Sequence, residues 1–391
     1  MENALKQFYD SFIVDSSIAD LLGFNPYYQI ITSVENEYYI INNEKYLNLA
    51  SNNYLGLAND IRVISSAKNA IEKYGVSMAG TPIATGCIDV YSKLTKRIAD
   101  FVGCEDSVIL PSCYQANAGL FTKIISKDDV VIIDQYAHSS LIEGVKAVGC
   151  KIKPFLHNDI NSLSKLLNNS NKENKRRFVI TESVFSTEGS IAPLNEINSL
   201  CNKFEAILIV DDSHGIGVIG NGGRGILSYT DIRNFNGIYT ASLGKAIAAS
   251  GGVICGNKKL IDYLRYYCSY MIYSTALPPA MLAAIDKILD IIEVEFSEMY
   301  MKIQENKKII FETLIERGFN LRNSESPINA VVCGNIEETL KLAKRFYENK
   351  ILVTPFIYPS VPYNSGVVRI IAGSNISKQA LENCRNILSK L

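Results

Sequence analysis

The chain has 391 residues, of which 47% are hydrophobic and 20% are charged, and its formal net charge at pH 7 is −1. This composition is that of an ordinary globular protein with ample apolar residues for a core, and the length allows two or three domains. The near-neutral balance gives no basic field that would indicate a nucleic acid or an anionic membrane as partner. No apolar run approaches a membrane span, and the first residues lack the apolar core of a signal peptide.

Cysteine and histidine usage narrows the chemistry further. Nine cysteines are scattered singly, without any Cys-x-x-Cys pair. An odd, dispersed set predicts reduced thiols in the cytoplasm and neither a disulfide framework nor a zinc site. The three histidines, at positions 138, 157 and 214, are few enough to be weighed one by one.

The first 50 or so residues are predicted to form an arm, with a helix over 5–12 and a hairpin of strands 38–41 and 46–49. From about residue 60 to 255, short apolar strands alternate with helices. The predicted strands are 107–110, 130–134, 151–155, 177–182, 206–211, 237–239 and 250–256, and the helices are 61–74, 92–102, 116–125 and 139–148. This alternation is typical of a mostly parallel sheet covered on both faces.

The pattern changes beyond residue 260. Helices are predicted over 260–270 and, as a long periodic run, over 281–316. A strand, a helix, two strands and a helix follow, at about 328–333, 336–348, 351–357, 366–371 and 378–390. We therefore predict an N-terminal arm (1–55), a large α/β domain (56–285) and a small α+β domain (286–391), with a polar surface loop at 168–177.

Several polar residues fall where predicted strands end. Glu182, Asp211 and Ser242 close strands, and Lys245 follows the last of these strands amid small residues. Ligands of such sheets collect at the carboxyl ends of the strands, so we expect one site assembled from distant segments. Lys245 is either an ordinary solvated lysine or a Schiff-base lysine, whose amine loses its proton readily in an enclosed site.

The three histidines differ in their surroundings. His214 lies three residues after Asp211, and the two could bind opposite sides of a heteroaromatic ring, or serve as a structural histidine and a capping carboxylate. His138 precedes a predicted helix and could stack on such a ring or simply start the helix. His157 has no partner pattern and is predicted to be a surface turn residue.

Two further features indicate a binding site for an anion. Residues 112–117 open a helix after a strand, and helix N-terminal amides attract anions, although most helix starts bind only water. Ser242 and Thr275 supply hydroxyls suited to a phosphate. Arg369 lies among apolar residues on the penultimate strand and needs a carboxylate partner, which is either internal or part of an amino-acid substrate.

Five motifs together resemble the α-oxoamine synthase family of enzymes that use pyridoxal 5'-phosphate (PLP). They are SNNYLGL at 51–57, TESVFS at 181–186, VDDSHG at 210–215, SLGK at 242–245 and YSTALPP at 273–279. The resemblance covers nearly the whole chain, from residue 51 to the last helix. It implies PLP-dependent transferase fold type I, an aspartate-aminotransferase-like α/β fold with a small α+β C-terminal domain. It also implies an obligate homodimer with active sites at the interface.

The resemblance implies a role for each residue around the cofactor ring. Lys245 would hold PLP as a Schiff base and later remove the α-proton of the substrate. Asp211 would pair with the pyridine nitrogen and keep it protonated. His214 and Ser186 would lie near the phenolic oxygen, and His138 would stack on the ring face.

The phosphate and the substrate are assigned in the same way. The Cys113 and Tyr114 amides and Ser242 would hold the phosphate, with Thr275 reaching it from the partner chain. Glu182 would complete the cofactor site. Two residues would bind the substrate, and these are Asn52 and Arg369, the latter at its carboxylate.

The implied reaction condenses an amino acid with an acyl-CoA thioester, usually with loss of CO2, to give an α-amino ketone. An aminotransferase or another PLP enzyme on the same fold is the alternative, and a dead scaffold is a third hypothesis, against which the presence of Lys245 argues. Three positions depart from the family pattern: Pro82 replaces an arginine, Tyr91 a histidine and Ala248 a glycine. We expect the surface around Pro82 and Tyr91 to face the substrates, with an acyl chain of medium or long length as the hypothesis.

Overall fold

The computed structural model describes residues 2–12, 23–170, 176–322 and 324–389. Its N-terminal part comprises helix α1 (Glu2–Asp10) and three antiparallel strands, β1 (Ser33–Glu35), β2 (Tyr38–Ile41) and β3 (Glu44–Asn48). The predicted helix and hairpin are present. The sequence does not predict β1, because all three of its residues are exposed and carry no apolar alternation.

The centre of the molecule is a seven-stranded sheet. Its strands are β4 (Asp106–Leu110), β5 (Val130–Asp134), β6 (Lys151–Phe155), β7 (Arg177–Glu182), β8 (Ile207–Asp211), β9 (Ile238–Ser242) and β10 (Gly252–Gly256). Their spatial order is β4-β10-β9-β8-β7-β5-β6, and only β10 runs antiparallel to its neighbours. Every residue of β5 and of β10 is buried, which requires cover on both faces of the sheet. The predicted fold class is confirmed.

Helices lie between the strands as predicted, with three additions. In chain order they are α2 (Ile61–Tyr74), α3 (Asp89–Val102), α4 (Cys113–Ile124), α5 (Ser139–Lys146), α6 (Ile160–Asn169), α7 (Leu194–Lys203), α8 (Ile226–Tyr229), α9 (Lys258–Tyr267), α10 (Ser269–Ile272) and α11 (Pro279–Glu316). Three helices are not predicted from the sequence: the short α8, and α6 and α7, which are rich in Asn and Ser. Leu163 and Leu167 are both buried residues of α6 and lie one helical turn apart, a spacing that could have revealed this helix.

The C-terminal part is a smaller α+β unit. It contains β11 (Ile328–Gly334), α12 (Ile336–Glu348), β12 (Ile351–Leu352), β13 (Thr354–Phe356), β14 (Gly366–Ile371) and α13 (Lys378–Leu388). Strands β11, β14 and β13 form an antiparallel sheet in that order. The predicted strand over 351–357 is in fact two strands, because β12 leaves this sheet to pair in parallel with β3 of the N-terminal hairpin.

Two separate hydrophobic clusters underlie this organisation. The larger one surrounds the seven-stranded sheet and includes the first half of α11. The smaller one joins Leu47 and Leu49 of the N-terminal part to the end of α11 and to the C-terminal strands. The N-terminal hairpin is therefore held by the small unit, while the predicted domain limits at 55 and 285 stay a prediction. Of the predicted loop at 168–177, residues 171–175 lie outside the described residues. Among the described helices, none is both long enough and apolar enough to cross a lipid bilayer.

Candidate active site

The candidate site lies where β7, β8 and β9 end side by side. Glu182, the last residue of β7, is in register with Asp211, the last residue of β8, which in turn is opposite Thr240 of β9. In a parallel sheet these strand ends meet at one edge, so residues far apart in sequence become neighbours. Lys245 follows β9 directly, and His138 follows the end of β5 at the same edge.

Asp211 is 4% exposed and is fixed through both carboxylate oxygens. Oδ2 accepts a hydrogen bond from Nδ2 of Asn117 (2.9 Å), and Oδ1 accepts one from the backbone N–H of Ser213 (3.0 Å). Asn117, which comes from α4, was not predicted from the sequence to be a site residue. An asparagine on the buried face of a helix is the signal that could have found it, because buried amides need partners.

Lys245 is half-buried, and burial lowers the pKa of its amine. The nearby Asp211 and Glu182 carboxylates oppose this shift but do not cancel it. An amine with a lowered pKa is neutral more often and is therefore a better nucleophile and base. These surroundings agree with a Schiff-base lysine and not with a solvated loop lysine.

His138 and Glu182 are joined directly. The backbone N–H of His138 donates to Oε1 of Glu182 (2.7 Å), and its ring Nδ1 lies 2.8 Å from Oγ of Ser140. Ser140 in turn accepts a hydrogen bond from Asn117 (3.0 Å), so the imidazole is oriented by the residue that also holds Asp211. Burial, followed by repulsion from Asp211, raises the pKa of Glu182 to about 8, and burial lowers the pKa of His138.

His214 is buried and pairs with Tyr54, a residue of the motif at 51–57 to which no role was assigned from the sequence. Nδ1 of His214 lies 2.8 Å from the hydroxyl of Tyr54. Burial lowers the pKa of His214 well below its usual value, and the positive charges of Lys245 and Arg369 act in the same direction. A neutral imidazole whose Nδ1 accepts from Tyr54 carries its hydrogen on Nε2, where it can donate to an anionic oxygen.

The start of α4 forms the anion end of the site. Ser112 caps this helix by accepting from the N–H of Gln115 (3.2 Å), so the first-turn amides of Cys113 and Tyr114 remain available. Gly252 lets the helix start approach the sheet, since a Cβ there would lie 2.3 Å from Cα of Cys113. The sequence therefore needs glycine at 252 for this end of the site to form.

Ser242 lies close to the same helix start. Its backbone N–H donates to Oγ of Ser213 (2.9 Å), and its own Oγ accepts from the N–H of Gly244 (3.2 Å). The Ser242 hydroxyl keeps its hydrogen to donate to an anion. Thr275 is exposed, and the neighbouring N–H of Ala276 donates to the carbonyl of Gly80 (3.0 Å). Within one chain, Thr275 therefore faces outward.

Arg369 lies on β14 of the small unit, is 5% exposed, and has its guanidinium 4.9 Å from the centre of the Phe356 ring. Its Nη1 donates to the carbonyl of Ser186 (2.8 Å), while Nε has no partner. Among the described residues no carboxylate forms an ion pair with it, so the internal partner considered from the sequence is not observed. Oδ1 of Asn52 is likewise buried without a partner. A buried guanidinium of this kind requires an anion from outside.

Two expectations from the sequence are wrong. Tyr91 does not face the substrates: it is 4% exposed, and its hydroxyl donates to the carbonyl of Ile109 (3.2 Å) between α3 and β4. His157 is not a surface turn residue without partners, because both of its ring nitrogens bond to carboxylates. In each case the polar group is satisfied by a partner from another segment of the chain, which its sequence neighbours do not reveal. Pro82 does open a short, largely exposed π-helical turn, Pro82–Gly86.

Ala248 adopts φ of 45°, the left-handed region that glycine favours. We expect Ala248→Gly to raise the free energy of unfolding by about 0.5–1 kcal/mol, because relief of the Cβ strain outweighs the added chain entropy. Urea denaturation would measure this. Ala249→Gly is the matched control, since residue 249 has no positive φ, and should be destabilising. Equal destabilisation by both changes would contradict the strain argument.

Comparison with known proteins agrees with this geometry. A family model described as aminotransferase class I and II matches residues 44–388. The 8-amino-7-oxononanoate synthase of Alkaliphilus oremlandii is 32% identical over 90% of this chain and 89% of its own length. The 2-amino-3-ketobutyrate coenzyme A ligase of Escherichia coli is 33% identical over 93% and 92%.

Solved structures show the same fold. A serine palmitoyltransferase from S. paucimobilis superposes with a TM-score of 0.91 over 96% of each chain at 23% identity. An 8-amino-7-oxononanoate synthase from Francisella tularensis gives 0.76, over 88% of this chain and 97% of its own, at 27% identity. The chain belongs to the aminotransferase class I and II family. Within that family its relatives are α-oxoamine synthases, as the sequence motifs predicted.

The residues at the strand ends fit PLP. A buried carboxylate held by Asn117 suits a protonated ring nitrogen, and a lysine amine with a lowered pKa suits the aldehyde carbon. The free amides at the start of α4 suit the phosphate. The donors and the acceptor are thus arranged for a group that is anionic at one end and cationic at the other.

Proposed function

We propose that the chain is a PLP-dependent acyltransferase that joins an amino acid to an acyl-CoA thioester, releasing CoA and usually CO2 and giving an α-amino ketone. The observation that carries this proposal is the buried, carboxylate-free guanidinium of Arg369 in a site that also contains Lys245. An amino acid supplies what each lacks, namely a carboxylate for the arginine and an α-proton for the lysine. The relatives' names support acyl transfer from CoA over transamination.

Each residue has a part in the reaction. When bound, PLP supplies an electron-withdrawing ring that stabilises negative charge at the substrate's α-carbon. Asp211 holds a proton at the ring nitrogen, and the neutral amine of Lys245 takes the α-proton. The Nε2–H of His214 donates to the phenolic oxygen, and Arg369 holds the substrate carboxylate in place.

Acyl transfer can be separated from transamination with one assay. A panel of amino acids is supplied first with 2-oxoglutarate and then with acyl-CoA thioesters of increasing chain length. We expect release of the CoA thiol, measured with a thiol reagent, to depend on both the amino acid and the thioester. Formation of glutamate without release of CoA would contradict the proposal and favour the aminotransferase.

We infer that two copies of the chain form the working enzyme. The face built from α9, α10 and the start of α4 exposes several aromatic side chains to solvent, and these are Tyr114, Tyr263, Tyr266, Tyr267, Tyr270 and Tyr273. An exposed aromatic face of this kind is typical of an interface. Thr275 follows this face directly, so in a dimer it would approach the phosphate of the partner's site.

Free cysteines throughout the described residues support a cytoplasmic location.

A further inference from the structure

The charged cluster around His157 is separate from the residues that contact the cofactor. The side chain of His157 is 16% exposed and comes from the turn after β6. Nδ1 lies 3.0 Å from Oδ1 of Asp134, and Nε2 lies 2.8 Å from Oε1 of Glu188. The ring stacks on Tyr136 with centroids 4.7 Å apart and meets the edge of Phe185 at 4.4 Å. This imidazole is therefore held in one orientation.

The partners determine its charge. A carboxylate accepts hydrogen bonds, so an imidazole between two carboxylates satisfies both when it carries a hydrogen on each nitrogen. Nδ2 of Asn158 also lies near Nε2, at 3.2 Å, but Oε1 of Glu188 is closer, at 2.8 Å. Burial by itself would lower the pKa of His157, but the hydrogen bonds to Asp134 and Glu188 raise it to about 9. The ring is thus a cation at neutral pH. The further charged group near it is Arg322, which comes from the segment before β11 and acts on Glu188.

These two carboxylates lie on different parts of the molecule. Asp134 ends β5 of the central sheet, whereas Glu188 lies in the β7–α7 loop, residues 183–193. Ser190 of the same loop donates to Glu188 (2.7 Å) and lies 2.9 Å from Nε2 of His157. The imidazolium therefore ties the loop to the edge of the central sheet.

The opposite side of the same loop contacts the small unit. The carbonyl of Ser186 accepts the Nη1 hydrogen bond from Arg369 (2.8 Å), and the carbonyl of Gly189 accepts one from the hydroxyl of Ser324. A Cβ at Gly189 would lie 2.8 Å from Cβ of Ile328, so the loop and the small unit are in close contact. The position of the Arg369 guanidinium thus depends on a loop that His157 anchors.

We propose that His157 is a positioning residue for Arg369, acting through the β7–α7 loop, and that its imidazolium sets the affinity of the site for the carboxylate of the amino-acid substrate. This inference rests on the proposed function, in which Arg369 binds that carboxylate. We call the contacts of His157 with Asp134 and Glu188 the clamp. When the clamp is lost, the loop is free to move, and the Ser186 carbonyl no longer orients the guanidinium. The amino group of the substrate, which binds elsewhere in the site, is unaffected.

The test compares amino acids with amines that lack only the carboxylate. Changes in the absorbance of the PLP-loaded protein give dissociation constants for glycine and methylamine, L-alanine and ethylamine, and L-serine and ethanolamine. His157→Gln removes the charge, and His157→Phe keeps the ring stacking but removes both donors. We expect both changes to raise the dissociation constants of the amino acids about tenfold and those of the amines less than about twofold. A tenfold loss of affinity is typical for the loss of an aligned hydrogen bond to a charged group.

Two further variants control the comparison. Arg369→Lys should lower the amino-acid-to-amine selectivity in the same way. Arg176→Gln breaks an ion pair of 2.7 Å with the buried Asp129, beside the opposite end of β5, and should leave the selectivity unchanged. If Arg369→Lys lowers the selectivity and the His157 variants do not, the inference is wrong while the proposed function stands. If neither lowers it, both are wrong. Equal weakening of amines and amino acids would make His157 a general support of the fold and would also overturn the inference.

The pH dependence of the unsubstituted protein gives an independent measurement. The pKa of His157 is raised in the folded protein, so the clamp is complete at neutral pH and is lost as the pH rises through about 9. After correction for the ionisation of each ligand's amino group, selectivity for the carboxylate should fall over that range. In His157→Gln the selectivity should be low and should not change with pH over this range. A flat profile in the unsubstituted protein would count against the inference even if a variant fails to fold.

Discussion

Replacing Lys245 by alanine is expected to abolish acyl transfer, with kcat falling by at least about a thousandfold, because one side chain both holds the cofactor and moves the α-proton. PLP should still bind through the anion end of the site, but the absorbance band at about 420 nm, in which PLP is the chromophore, should be absent. Exchange of the substrate's α-proton with solvent deuterium, followed by NMR, should stop as well. This assay needs no acyl-CoA and isolates the proton-transfer step.

The control for this change is Lys302→Ala, which removes an exposed lysine on α11 that pairs with Glu298. It should leave the absorbance band, the deuterium exchange and kcat at their original values, since exposed ion pairs contribute little. Retention of the band and of α-proton exchange in Lys245→Ala would show that another amine holds the cofactor. The assignment of the site would then be wrong.

Asp211→Asn is expected to lower kcat about a thousandfold while leaving PLP bound. The amide keeps the size of the carboxylate, and its single oxygen can still accept one of the two hydrogen bonds, from Asn117 or from the N–H of Ser213, but it carries no negative charge to hold a proton at the ring nitrogen. Without that proton the ring withdraws electrons less strongly, so α-proton exchange should slow by the same factor as kcat. The KM of the amino acid should change little, because Arg369 is untouched.

The adjacent Asp212 is a matched control. It is also buried, and burial raises the pKa of its carboxyl to about 7 even though Tyr239 and the N–H of Ile226 donate to it. Asp212→Asn should therefore alter the free energy of unfolding and leave α-proton exchange nearly unchanged. If the two asparagine variants slow exchange equally, the effect of Asp211→Asn arises from disturbance of β8 and not from the ring nitrogen.

Much of the fold could be predicted because the central strands are short, mostly apolar and separated by amphipathic helices. Strands 130–134, 151–155 and 177–182 have the limits that the pattern predicted. Helices α6 and α7 were not predicted because their polar surfaces hide a narrow apolar stripe. The predicted strand over 351–357 is divided at residue 353 because β12 pairs with β3. This contact joins segments about 300 residues apart, and no local sequence pattern encodes it.

The candidate site shows the same division. Lys245, Asp211, His138 and Glu182 could be singled out because polar residues at strand ends gather at one edge of a sheet. Ser140 and Tyr54 could not, because their importance lies in which buried group each contacts. Roles of individual residues in binding PLP and substrate stay predictions that the variants above test.

The sequence by itself determined the family, the α/β class and the group of residues at the strand ends, since these follow from motif order and from apolar periodicity. Only the tertiary structure decided which of the histidines is charged at neutral pH. His138 precedes a helix and His157 lies in a turn, but neither setting reveals in the sequence whether the imidazole is charged. Burial between Asp134 and Glu188 makes His157 a cation, while burial beside Ser140, without such a pair, lowers the pKa of His138. The charge of a buried histidine depends on partners from other strands, and these are set only when the chain folds.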